Sequence, residues 1–194
     1  MRKALLLTLL LAFVSALCLP DRASADAIVS VQSPGPVDAG NTFQVNVNIS
    51  GAANVYGFQF DLGYDPTLVQ AIGVSEGGFL PSGGGTTFFV PGTIDNGLGS
   101  FYSNGDVLIG NIPGVDGMGT LLQFDFKAIA AGTSALTLTN IFLLDPNFNL
   151  LNESSVDGSV TVNRVISTPE SSVLVFLASA FMLFLLSRQV RRIA

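Results

Sequence analysis

Histidine and tryptophan are absent from this 194-residue chain, and cysteine occurs once. That cysteine, Cys18, lies in an apolar N-terminal run that the sequence marks for removal, so the mature protein has no thiol. Disulfides, a cysteine nucleophile and a thiolate metal site are excluded together. Without histidine the commonest general base and the commonest transition-metal ligand are missing as well. Positive charge is scarce in the body of the chain. Between Asp26 and Arg164 twelve carboxylates face only Lys127 and Arg164, a formal charge of −10, while the whole chain shows −6 because the other basic residues lie near its ends. An acidic body argues against nucleic acid or anionic lipid as a partner, and otherwise serves solubility.

The two ends carry their own signals. Arg2 and Lys3 precede an apolar stretch from Ala4 to Leu19, and Ala23-Ser24-Ala25 follows. This is the charged, apolar and small-residue order of a secretory signal, with cleavage favoured before Asp26 and Ala25-Asp26-Ala27 as the next choice. Leu17 stands where a lipoprotein site before Cys18 needs a small residue, so lipidation is excluded. At the other end Val173 to Leu186 is apolar apart from Ser179. As a helix that run spans roughly 21 Å, short of a hydrocarbon core of about 30 Å. The organisation expected is a signal peptide over 1–25, one domain over 26–165, a linker over 166–172, a transmembrane helix over 173–187 and an arginine-rich tail over 188–194.

Within the domain a period of two dominates. Phe43, Val45, Val47 and Ile49 alternate with Gln44, Asn46, Asn48 and Ser50, the pattern of a half-buried strand. Tyr56, Phe58, Phe60, Leu62 and Tyr64 take one face of the next strand, and Gly57, Gln59, Asp61 and Gly63 the other. LLQFDFKAIA, ALTLTNIFLL and GSVTVNRV add further strands, and the glycine-rich segments PSGGGT, SNGD and PGVDGMG read as turns. SNGD between FY and VLIG predicts a hairpin turn with Asn104-Gly105 at positive φ. Many short strands with one apolar face each predict an all-β sandwich of two packed antiparallel sheets.

VDAGNTFQVNVNISGAANVYGFQFDLGYDPTLVQAIGV resembles the opening half of the cohesin-like, bacterial carbohydrate-binding-module sandwich superfamily, and GTLLQFDFKAIAAGTSALTLTNIFLLDPN with the closing VDGSVTV resembles the second half. The resemblance implies a nine-stranded jelly-roll β-sandwich. It also implies a binding face, because cohesins hold dockerin modules on one sheet and present an outward amide and acid on the strand leading to the Tyr64-Asp65-Pro66 turn. Gly57 and Gln59 occupy those two places here, and Asn111 is the polar residue nearest the start of the loop after VLIGN. Gln59, Asp61 and Asn111 are therefore the candidate binding stripe. With no charge at Gly57 or Gln59, tight dockerin binding is not expected, and an extracellular polysaccharide or surface protein is expected instead.

The C-terminal stretch resembles the PEP-CTERM sorting signal of Gram-negative bacteria, with Pro169-Glu170 before the short helix and Arg188, Arg191 and Arg192 after it. The resemblance implies an exosortase-type membrane protease as partner and delivery to the cell surface or extracellular matrix. The positive-inside rule keeps the arginines cytoplasmic.

Catalysis has little to work with. Two carboxylates could serve a glycosidase, but most acids here lie in turns, where Asp bonds its own backbone. No enzyme is expected and no catalytic residue is named. No cofactor is expected either. Calcium would fit Asp95-Asn96-Gly97, Asn104-Gly105-Asp106 and Asp116 only if their loops converged, so no metal ligands are assigned. Tyr56 and Tyr64 fall on the apolar face and are expected in the core, and core or loop packing is also expected for Phe79, Phe88, Phe89, Phe101 and Tyr102. The function expected is an exported, non-catalytic binding module of the cell surface or matrix, carbohydrate-binding or linked to polysaccharide processes; the alternatives are a purely structural exopolysaccharide-matrix protein and, after it, a dockerin-binding scaffold or a glycoside hydrolase.

Overall fold

A computed structural model describes residues 26–165 together with Leu177 and residues 179–182 of the C-terminal segment. Two compact units divide the chain, Met1–Asn163 and Arg164–Ala194. In the second unit Leu177 and residues 179–182 are helical and exposed, and Arg164 and Val165 are exposed without regular structure. Among the described residues no helix is long and apolar enough to cross a membrane. The signal peptide, the Pro169-Glu170 motif, Arg188, Arg191, Arg192 and most of the expected transmembrane helix lie outside the described residues.

The first unit is a two-sheet sandwich. Its strands are β1 (Ala27–Gln32), β2 (Val37–Asp38), β3 (Thr42–Val55), β4 (Gly57–Gly63), β5 (Val69–Glu76), β6 (Thr86–Val90), β7 (Thr93–Asp95), β8 (Ser100–Ile109), β9 (Val115–Ala128), β10 (Gly132–Leu144), β11 (Glu153–Val156) and β12 (Gly158–Asn163). One sheet has five strands in the order β11-β1-β3-β9-β5; the other runs β2-β12-β10-β4-β8-β6, with β7 also on β8. The all-β sandwich stands as expected, with twelve strands in place of nine. Three of these, β2, β7 and β11, are ribbons of two to four residues at sheet margins.

Alternation built both inner faces. Val45, Val47 and Ile49 of β3 and Phe58, Phe60 and Leu62 of β4 are buried, facing each other across the sandwich. Aromatic rings dominate the middle: Phe101 meets Phe124 edge-on at 4.7 Å, and Tyr64 meets Phe126 in the same way at 5.2 Å. Such packing adds to the area term because the positive ring edge meets the negative ring face. Tyr56 and Tyr64 are core, as expected, and their hydroxyls donate to the Gly110 carbonyl (2.7 Å) and to Asn96 Oδ1 (2.8 Å).

The SNGD segment is not a hairpin turn. β8 runs through it, and Ser103 takes φ +54° where the pairing with β4 shifts between Phe60 and Leu62. On the other side of β4, Asn140 takes φ +51° where β10 shifts between Thr139 and Phe142. Both are bulges, and turn-type residues serve a bulge as well as a turn because both need a left-handed residue. Asp61 sits between them. Its Oδ1 accepts the Ser103 N–H at 2.6 Å and its Oδ2 accepts the Asn140 side-chain amide at 2.7 Å. One carboxylate thus ties both bulges.

Candidate binding face

Register determines what the outer face of the seven-stranded sheet presents. Leu144 pairs with Gly57, Gly57 with Val107 and Val107 with Phe88, giving one row across β10, β4, β8 and β6. The next row runs Phe142, Gln59, Gly105 and Val90. Each row has a glycine in the middle. A Cβ on Gly105 would lie 2.6 Å from the Phe58 carbonyl oxygen, and one on Gly57 would press on Val107 at 3.1 Å. The glycines keep the floor low while large side chains stand on either side.

The result is an open groove of about 510 Å³ lined by these residues with Leu150 from the loop after β10. Its walls are apolar and in water: Phe88 is 61% exposed, Phe142 44% and Leu150 68%. Exposed apolar side chains are ordinary when scattered, but several converging on one concavity mark an interaction site. Gln59 supplies the amide at the centre. The surrounding surface offers no cluster of three or more histidine, cysteine, aspartate or glutamate residues able to hold a metal, among the described residues. The calcium candidates of two stretches are engaged elsewhere: Asp95 Oδ1 accepts the Gly97 and Leu98 N–H groups, Asn96 bonds Ala71 and Tyr64, and Asp116 Oδ1 accepts the Asn54 N–H, whereas Asn104 Oδ1 and Asp106 Oδ2 accept no hydrogen bond among the described residues.

The candidate stripe divides. Gln59 is exposed in the groove. Asp61 is only 8% exposed and is committed to the two bulges, so its expected outward role is corrected. Asn111 is exposed in the loop after β8 and does not line the groove. Phe88 is corrected too, since it stands in water rather than in the core, whereas Phe79 and Phe101 are buried. Sequence reasoning missed Val90, Val107, Phe142 and Leu150 as binding residues. The available signal was alternation itself, because Phe88 and Val90 flank the core-facing Phe89 on one short strand.

Under the groove, Asp106 points the other way. It is 3% exposed on the inner side of β8, Oδ1 accepts the Val107 N–H at 2.9 Å, and Oδ2 receives no hydrogen bond among the described residues. Burial first, then the neighbouring Glu76, pushes its carboxyl up to about 7. Glu76 ends β5 in the opposite sheet and accepts a hydrogen bond from the Thr87 hydroxyl of β6.

A β-sandwich with a grooved, apolar outer sheet face has the architecture of a binding module. The cohesin domain model matches residues 28–162, and the chain belongs to the cohesin family. It is similar to the non-cellulosomal cohesin of the archaeon Archaeoglobus fulgidus, with 20% identity, a TM-score of 0.57, and coverage of 72% of this chain and 92% of that one. A cohesin of Clostridium thermocellum solved with a dockerin has 12% identity and a TM-score of 0.59, covering 76% and 99%. A type II cohesin of Acetivibrio cellulolyticus solved with an X-dockerin has 14% identity and a TM-score of 0.60, covering 71% and 100%. No curated protein matches the chain. Cohesin neighbours held in dockerin complexes overturn the expectation that dockerin binding would be weak. That expectation weighed Gly57 and Gln59 for missing charge and left out the apolar walls around them.

Proposed function

We propose that this domain is an exported cohesin-family module that binds a dockerin on the grooved face of its seven-stranded sheet. The observation that carries this reading is the groove itself, where Phe88, Val90, Phe142 and Leu150 converge around Gln59. Four apolar anchors over a glycine floor offer desolvation as the driving force, which needs no charge at Gly57. The matching partner surface is apolar with a hydrogen-bonding group opposite Gln59. Calorimetric titration with a panel of dockerins tests this: micromolar or tighter binding that disappears in F88A/F142A is expected. A panel that gives no heat, or binding untouched by the double substitution, refutes it.

Export and sorting complete the reading. Residues 1–25 act as the signal peptide, and the segment beyond 165 acts as a PEP-CTERM-type signal that takes the module to the cell surface or matrix. The support is the order of parts in the sequence: Pro169-Glu170, the short apolar run, then Arg188, Arg191 and Arg192. Intact-mass measurement of surface protein should find a chain that begins near Asp26 and ends near Glu170. A mass that still includes Arg191 and Arg192 refutes the processing. Direct sugar stacking finds little support, because Tyr56 and Tyr64 are buried with bonded hydroxyls.

A further inference from the structure

We propose that Asp106 keeps a proton that ties it to the Glu76 carboxylate between the two sheets, and that its loss frees β6, so the groove holds its partner in acid solution and releases it in alkali. The binding half of this proposal rests on the groove reading above.

The geometry places the pair where the groove's outer wall is fastened. β6 is the edge strand of its sheet and pairs only with β8. It carries Phe88 and Val90, and between them Phe89 pairs with Asp106. Its tie to the opposite sheet is the Thr87 hydroxyl bond to the Glu76 carboxylate. Asp106 lies beneath Gly105 and Val107, two of the groove-lining residues. Wall, floor and carboxyl pair are therefore one mechanical unit.

Neutralisation must come from a proton. Two carboxylates in contact repel, and a buried one loses its hydration, so the charged pair is disfavoured twice. Among the described residues no cation relieves it: Lys127 and Arg164, the basic residues of the sandwich segment, are both exposed. The groups facing the pair are uncharged. β4 brings Phe58 opposite Asp106, β6 brings Phe89, and β9 brings Leu122 opposite Glu76. Glu76 is thus the one titratable group acting on Asp106. Protonated Asp106 donates to Glu76 and supplies the hydrogen bond its free oxygen lacks. When the proton leaves, the two carboxylates separate by the easier path. Asp106 is enclosed, whereas Glu76 is half-buried at the strand end and can swing to water, drawing Thr87 and β6 with it.

Hydrogen exchange of the Thr86–Val90 amides in the purified protein tests the switch without any partner. After correction for the intrinsic pH dependence of exchange, protection at pH 8.5 should fall about 10-fold below its value at pH 6, the factor set by the one pH unit that separates pH 6 from the Asp106 midpoint. In D106N, protection should stay level, because the amide is neutral and still donates to Glu76. E76Q removes the repulsion but not the burial of Asp106, so it should shrink the fall without abolishing it, which keeps the test alive if D106N fails to fold. Equal protection at both pH values in the unsubstituted protein overturns the proposal, as does a loss that both variants retain in full. Restoration at pH 8.5 by millimolar calcium, in the unsubstituted protein alone, also overturns it and assigns the pair to a cation. Dockerin affinity should follow the same pH course. Loosening of β6 with no dockerin bound at either pH refutes the groove reading and leaves the carboxyl switch standing.

Discussion

On the outside of the five-stranded sheet, Asn46 and Asn48 donate to Gln32 and Thr120 donates to Asn48, a chain of side-chain bonds across β1, β3 and β9. Outside the seven-stranded sheet the corresponding positions hold Phe88, Val90, Val107 and Phe142, with glycines between them. Both faces come from the same alternation of inward and outward residues. One spends most of its outward positions on amides and hydroxyls that bond one another, leaving Asn46 Oδ1 without a partner among the described residues. The other leaves apolar area in water, which is unfavourable until something covers it. The first face is mostly amide and hydroxyl, broken by Ile28 and Ile72; the second gathers its apolar side chains into one groove.

The largest effect should come from what the two faces share. Phe124 and Phe101 are fully buried and in contact, so Phe124→Ala should cost about 3–5 kcal/mol of unfolding free energy and weaken both faces together. Denaturant melts measure this; a loss under about 1 kcal/mol would mean that the sheets do not depend on a common core.

Alkali should separate the faces next. Burial and Glu76 raise Asp106 above its unfolded value. Its contribution is therefore complete below about pH 4 and is lost as pH rises through the folded value of about 7. A shift of that size corresponds to roughly 4 kcal/mol at full ionisation, reduced by whatever water reaches Glu76. Melts at pH 5 and pH 8.5 should show about two thirds of that loss, the rest having gone below pH 5; D106N should flatten it, and a wild-type domain more stable at pH 8.5 than at pH 5 would contradict the sign.

Asp61 offers an effect of intermediate size. Asp61→Ala leaves the Ser103 N–H and the Asn140 amide without their acceptor, which should cost about 2–4 kcal/mol because both bonds are charge-assisted. The bulges it ties are confined to the seven-stranded sheet, so hydrogen exchange should quicken in β4, β8 and β10 and stay unchanged in β1 and β3. Uniform quickening would remove Asp61 as a local fastener.

These residues also show how far the sequence could be read. Val45, Val47, Ile49, Phe58, Phe60 and Leu62 declared their burial through local alternation, and the sandwich followed from them. Asp61 belonged to the same alternation and was placed outward, yet it is enclosed. Its surroundings come from bulges in two neighbouring strands, and no local pattern reports a neighbour's register. The groove was hidden for the same reason. Phe88, Val107, Phe142 and Leu150 are spread over more than sixty residues and meet only through pairing. The outward placement of Gln59 could be read because its own strand was legible; Asn111 was placed by resemblance in a loop that ends elsewhere.

The smallest expected effect discriminates best between the faces. Gln44 donates to Asp125 at 3.1 Å on the outside of the five-stranded sheet, in an exposed position. Exposed side-chain bonds exchange water for protein at little net gain, so Gln44→Ala should change stability by less than about 0.5 kcal/mol. Dockerin affinity should not change, because Gln44 is on the sheet opposite the groove. Truncating Phe142 should leave stability nearly as unaffected, since that ring is 44% exposed, yet it should weaken binding by about 2 kcal/mol, or roughly 30-fold. Two surface substitutions with similar melts and opposite binding outcomes would fix the function to one face. If Gln44→Ala weakened binding and Phe142→Ala did not, the amide-laced face would be the one that receives the partner, and the apolar groove would need another occupant.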